Sequence, residues 1–152
     1  MLDVHTLFVI PCAARKFNRR AAARDLYTSP NFRLNLRAAE AAATADAAYF
    51  GHLSAVVILS ACHGLLPLDR EIDPYDVRVG DGTAISDDAL AEQLDAEYPG
   101  LQCITALLPL AYFRVLRAAV ERLDRPLSLM DVFEGSTIGY QRRAAANLIR
   151  RP

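Results

Sequence analysis

His63 stands in SACHGLL, residues 60–66, directly after the apolar run VVIL, which reads as a buried strand. Only three histidines occur in 152 residues, and one at a strand end could act as an electrophile or proton donor, because its ordinary pKa lies near neutrality. A histidine bonded to loop backbone would explain the same residue. Gly64 beside it fits either a tight turn or a close backbone approach to a ligand. Cys12 follows another apolar run, HTLFVIP, and with His63 could form a nucleophile and base, although a small buried cysteine accounts for it too. The cysteine has neither a visible third orienting residue nor a glycine-flanked elbow.

EIDPYD, residues 71–76, groups Glu71, Asp73 and Asp76 around a stiffening Pro74 and an aromatic Tyr75. A carboxylate beside an aromatic could activate water or stabilise a cationic intermediate while the ring stacks on a planar ligand. A turn begun by Asp73-Pro74, with Tyr75 packed inward, is the competing reading. In RKFNRRAAAR, Arg15, Lys16, Arg19, Arg20 and Arg24 could neutralise phosphates, and a last helix, read with its glycine-bearing turn in GSTIGYQRRAAANLI, adds Arg142 and Arg143; a solvated loop would carry the same residues. GSTIG before that helix could cradle a phosphate on exposed N–H groups. The segment Tyr140-Gln141-Arg142 could contact the same ligand or simply cover the sheet. Lys16 is the one lysine among 17 basic residues, which hints at a place where a compact ammonium is required rather than a guanidinium fork.

These residues need elements to hold them. HTLFVIP, AVVILSA, QCITALLP and PLSLMDV read as four strands. Ser29 followed by Pro30 starts an Ala-rich helix to about Tyr49, and Ser86-Asp87-Asp88 starts a second that ends near Gly100. Pro109 opens a third, with Leu110, Phe113, Leu116 and Val120 at helical spacing. From Cys62 to Ile85 the prolines and glycines indicate a long loop, whose apolar residues favour a packed functional segment. Strands alternating with helices imply a mostly parallel sheet, and ligands bind such folds beyond the carboxyl ends of the strands. Polar chemistry gathers at those ends, in residues 12–16, 60–64 and 134–139.

The length suits one domain spanning residues 1–152. Hydrophobic content of 53% without an apolar run near 18 residues indicates a globular chain with no membrane helix. The first residues lack a signal peptide's basic start, so a cytoplasmic location is expected. Cys12, Cys62 and Cys103 have neither disulfide numbers nor metal-ligand spacing, and no metal or cofactor is expected. A net charge of -1 gives no global attraction to nucleic acid.

Taken in order, IPCAARK, ARDLYTSPNF, ILSACHGLL, EIDPYDVRV and GSTIGYQ resemble the family of small proteins known as DUF6884. That family is distantly similar to the peroxide-stress YaaA-like proteins and to the uracil-DNA-glycosylase-like fold, including a domain of archaeosine synthase. The matched positions are Cys12, Lys16, Leu26, Tyr27, Ser29, Phe32, Ser60, His63, Gly64, Pro74, Tyr75, Asp76, Gly139 and Tyr140, whereas Cys62 stands where the pattern often has lysine. The resemblance implies a three-layer α/β/α fold around a mostly parallel four-stranded sheet. It also implies an enzyme of the DNA glycosylase type, acting on a modified base, with antiphage defence as a setting. His63 is then similar to the glycosylase histidine that polarises the base carbonyl, and Asp76 or Glu71 takes the acid's role. Cys12, Lys16, Tyr27, Ser60, Gly64, Tyr75 and Tyr140 would line the substrate, with the base stacked on Tyr75 or Tyr27. Arg15, Arg19, Arg20 and Arg142 would hold phosphates, on DNA ahead of RNA. A non-catalytic nucleic-acid-binding stress protein, and a hydrolase or transferase of free nucleotides, are the competing readings.

Overall fold

The computed structural model describes residues 3–133, 145 and 147–149. Along the chain come β1 (Thr6–Pro11), β2 (Ala21–Ala22), α1 (Ala23–Leu26), α2 (Pro30–Phe50), β3 (Ser54–Ser60), β4 (Gly64–Pro67), β5 (Glu71–Ile72), α3 (Asp87–Glu97), β6 (Cys103–Ala106), α4 (Leu110–Glu121) and β7 (Ser128–Asp131). The main sheet has the order β4-β3-β1-β6-β7, with β1 at its centre. Strands β3, β1, β6 and β7 run parallel, and β4 is antiparallel at one edge. A short antiparallel ribbon pairs β2 with β5.

β1 reads as an unbroken apolar run because both its faces are covered. All six of its residues are buried. Leu7 and Val9 join a core shared with α3 and α4, while Phe8 and Ile10 join a second core shared with α2. Burial on both faces removes the alternation expected of a half-exposed strand. The helices start where their caps predict. Ser29 Oγ accepts from Phe32 N at 3.1 Å ahead of Pro30, and Ser86 Oγ accepts from Ala89 N at 3.1 Å. Gly51, with φ of 70°, ends α2 in the left-handed conformation that glycine adopts freely.

Five strands replace the expected four. The additional one, β4, lies inside the segment read from sequence as a long loop. It returns on β3 through residues 61–63 and needs no crossover helix, so the alternation of strand and helix gives no hint of it. Its run GLLP is short and ends in proline, yet Leu65 and Leu66 are fully buried. The Gln93 carboxamide of α3 accepts from Leu65 N at 2.7 Å and donates to Leu65 O at 2.8 Å. It thus takes the place of a neighbouring strand at an otherwise open edge.

From β1 the chain first places β3 on one side and later β6 on the other. A parallel sheet opens a crevice beyond its strand ends where the order reverses in this way, here between β1 and β6.

Candidate functional site

Cys12 continues β1, its N–H donating to Leu59 O at 3.1 Å. Its thiol lies 3.2 Å from the hydroxyl of Tyr112, in the first turn of α4, so the two side chains meet across the crevice between β1 and β6. The chain then folds back on itself. Lys16 and Tyr27 form an antiparallel bridge, supported by Phe17 N to Leu26 O at 2.8 Å and Thr28 N to Arg15 O at 3.0 Å. This local pairing holds the Lys16 ammonium 4.4 Å from the centre of the Tyr75 ring and 5.7 Å from that of Tyr27, within cation–π range of both.

Ser60, the last residue of β3, is fully buried and ties the cluster together. Its Oγ accepts from the backbone N–H groups of Cys62 and His63, at 3.2 and 3.1 Å, and donates to the Tyr75 hydroxyl at 2.7 Å. The Tyr75 and Tyr27 hydroxyls share a further hydrogen bond. Desolvation is the main reason that the phenols of Tyr27, Tyr75 and Tyr112 are pushed above their ordinary pKa, so all three stay protonated at neutral pH. The His63 ring stands perpendicular to Tyr75, with centroids 5.3 Å apart. Partial desolvation, and next the positive charge of Arg70, hold its pKa below the ordinary value, leaving a neutral imidazole at pH 7. The other two histidines stack on each other at the opposite end of the sheet, where Asp46 lies 2.8 Å from His52.

Cys12, Lys16, Tyr27, Ser60, His63 and Tyr75, singled out from sequence, are therefore brought into one cluster. Gly64 has φ of 72°, and a β-carbon there would run into the Gln93 carboxamide and the Ile85 side chain. It serves the hairpin and the contact with α3, as the turn reading of this residue requires. Tyr27 is fully buried, so its ring offers no face for a base to stack on; its place is in the hydroxyl chain, and Tyr75 alone of the pair is partly exposed. Cys12 hydrogen-bonds Tyr112, and no hydrogen bond joins it to His63 among the described residues.

The carboxylates stand apart. Glu71 and Asp76 are exposed, and neither side chain makes a hydrogen bond or ion pair among the described residues. Arg20 reaches Asp73 at 3.2 Å and Glu71 O at 3.1 Å, which pins the ribbon of β2 and β5 rather than leaving the guanidinium free. Arg15 and Arg19 are exposed without a carboxylate partner among the described residues. Tyr140, Arg142, Arg143 and the GSTIG segment lie outside the described residues. Among the described residues no group of three His, Cys, Asp or Glu side chains is placed to hold a metal ion. Sequence reading missed Tyr112, which sits one residue before the apolar Phe113; a phenol in the first turn after a strand's carboxyl end was the available signal.

Fold and cluster define a class: α/β proteins with a mostly parallel sheet whose polar side chains gather beyond the carboxyl ends of the strands. Within that class, the sequence model of a family of unknown function, DUF6884, matches residues 7–144, and the chain belongs to that family. No curated protein and no solved structure matches the chain. No described helix is long and apolar enough to cross a membrane.

Proposed function

We propose that the protein is a DNA-glycosylase-like enzyme that hydrolyses the N-glycosidic bond of a modified base in nucleic acid. One observation carries the reading: His63 and the Lys16 ammonium both lie against the ring of the partly exposed Tyr75, beyond the strand ends, and Arg15 and Arg19, close to Lys16 in the chain, are exposed without a carboxylate partner among the described residues. In this reading a nucleotide, extruded from the stack or single-stranded, lays its base on Tyr75. His63 donates an N–H to the departing base and offsets the charge that builds on it. Asp76, next to Tyr75 in the chain, directs water onto the sugar cation, and Arg15 and Arg19, with Lys16, hold the flanking phosphates. The setting that goes with this reading is cytoplasmic antiphage defence, and the fold that goes with it is that of uracil-DNA glycosylases and YaaA-like proteins.

A second reading, nucleic-acid binding without cleavage, is favoured by a different observation. Glu71 and Asp76 are exposed, and among the described residues neither carboxylate is tied to the cluster. Mass spectrometry of bases released from unmodified, uracil-containing and glucosylated phage DNA separates the two, with free nucleotides as a further substrate. The expected result is release from one DNA, reduced about 100-fold or more in His63→Ala and Asp76→Asn, in line with the usual weight of a general acid or base. Salt-sensitive DNA binding with no base released supports the second reading instead, and release from free nucleotides alone sinks both.

A further inference from the structure

Lys16 is the only lysine in the sequence, and every other basic residue among the 17 is an arginine, whose guanidinium stays protonated in proteins and forms no imine. Among the described residues it has no carboxylate partner; its one hydrogen bond is to Ala14 O at 3.3 Å, and it lies within cation–π range of the Tyr75 and Tyr27 rings. His63 contacts the same Tyr75 ring, which places an amine and an imidazole around one aromatic surface. Arg15 and Arg19, on either side of Lys16 in the chain, are exposed and unpaired among the described residues, as cations that bracket a sugar with two phosphates would be.

Resting on the reading above, we propose that Lys16 is an imine-forming residue that captures the C1′ aldehyde of the abasic sugar left when the base departs. Once the base has left, the Lys16 ammonium gives a proton to water and its Nζ adds to C1′ of the ring-opened sugar; the carbonyl oxygen takes up protons and leaves as water, giving a protonated imine. That imine draws electrons from C2′, and a C2′ proton passes to His63. The C3′–O bond then breaks, its electron pair leaving on the 3′ phosphate. Water hydrolyses the unsaturated imine, releasing the aldehyde and restoring the amine, so the sequence balances without an oxidant, reductant or metal.

The test uses the full chain and an oligonucleotide whose abasic site is made beforehand, so that it does not depend on base release. Borohydride added during incubation reduces an imine to a stable secondary amine. The expected result is a one-to-one covalent adduct on a denaturing gel, mapped by peptide mass spectrometry to Lys16 and reduced at least tenfold in Lys16→Arg, which keeps the charge. Thermal unfolding checks that this variant is folded, and the mapping in the unaltered protein needs no variant. In His63→Ala the adduct should persist while strand cleavage at the abasic site falls. An adduct on the N-terminal amine, or one of equal yield in Lys16→Arg, overturns the proposal. Base release without any adduct overturns it and leaves the glycosylase reading standing, whereas neither release nor adduct removes both.

Discussion

Replacing Ser60 by alanine should cost the protein about 2 kcal/mol of stability, through a mechanism that can be followed bond by bond. Ser60 is fully buried, and its hydroxyl makes three hydrogen bonds: two accepted from the turn N–H groups of Cys62 and His63, and one donated to Tyr75. Each is worth roughly 1 kcal/mol net, so the sum is about 3 kcal/mol. Part is recovered, because Cys62 is half-buried and His63 exposed, and water can reach the freed N–H groups. The Tyr75 hydroxyl also keeps its bond to Tyr27. For a chain of this length about 2 kcal/mol corresponds to a fall in Tm of roughly 4–8 °C. Urea and thermal unfolding of Ser60→Ala, Tyr75→Phe and the double variant measure the loss and its origin. The bond of 2.7 Å between the two side chains predicts a coupling of about 1 kcal/mol in that cycle. A loss under about 0.5 kcal/mol, or strict additivity, would refute the view that Ser60 pins the turn to Tyr75.

Two further outcomes follow from the same corner of the fold. Gly64→Ala should destabilise by about 3 kcal/mol, since a left-handed backbone costs an alanine roughly 1–2 kcal/mol and its β-carbon displaces Gln93 from two hydrogen bonds to Leu65; unfolding of Gln93→Ala isolates the second part, and a neutral Gly64→Ala sinks the explanation. His63 should titrate below the ordinary histidine range when its ring protons are followed by NMR. Because the folded protein then binds fewer protons than the unfolded chain, stability should decline as pH is lowered through the unfolded pKa, near 6.5, and level off below the folded one. His63→Gln should remove that slope, and a ring that titrates above the ordinary value would overturn the assignment.

Much of the scaffold was legible because its signals are local. β1 and the body of β3 are continuous apolar runs, β6 and β7 lie within shorter ones, and Ser29-Pro30 and Ser86-Asp87-Asp88 mark helix starts that need only nearby backbone to act. The strand ends, and hence the neighbourhood of Cys12, Ser60 and His63, followed from the alternation of strand and helix. β4 was not legible, since GLLP owes its strand state to pairing with β3 on one side and to Gln93 on the other, 28 residues from Leu65. EIDPYD was legible only as an unresolved choice. The structure ties its tyrosine inward through Ser60 and Tyr27 and leaves Glu71 and Asp76 at the surface.

The sequence by itself determined the class of fold, the sheet that supports the site, and the residue types gathered beyond its strand ends. It could do so because hydrophobic periodicity and helix caps act over a few residues. Only the tertiary structure decided which of those groups meet. Cys12 faces Tyr112, 100 residues away, because the chain reverses direction across the sheet between β1 and β6. Lys16 lies over Tyr75 because a fold-back at residues 16–27 and a hairpin at residues 60–64 converge on one buried serine. Such contacts depend on packing between distant segments, and packing is a property of the whole chain.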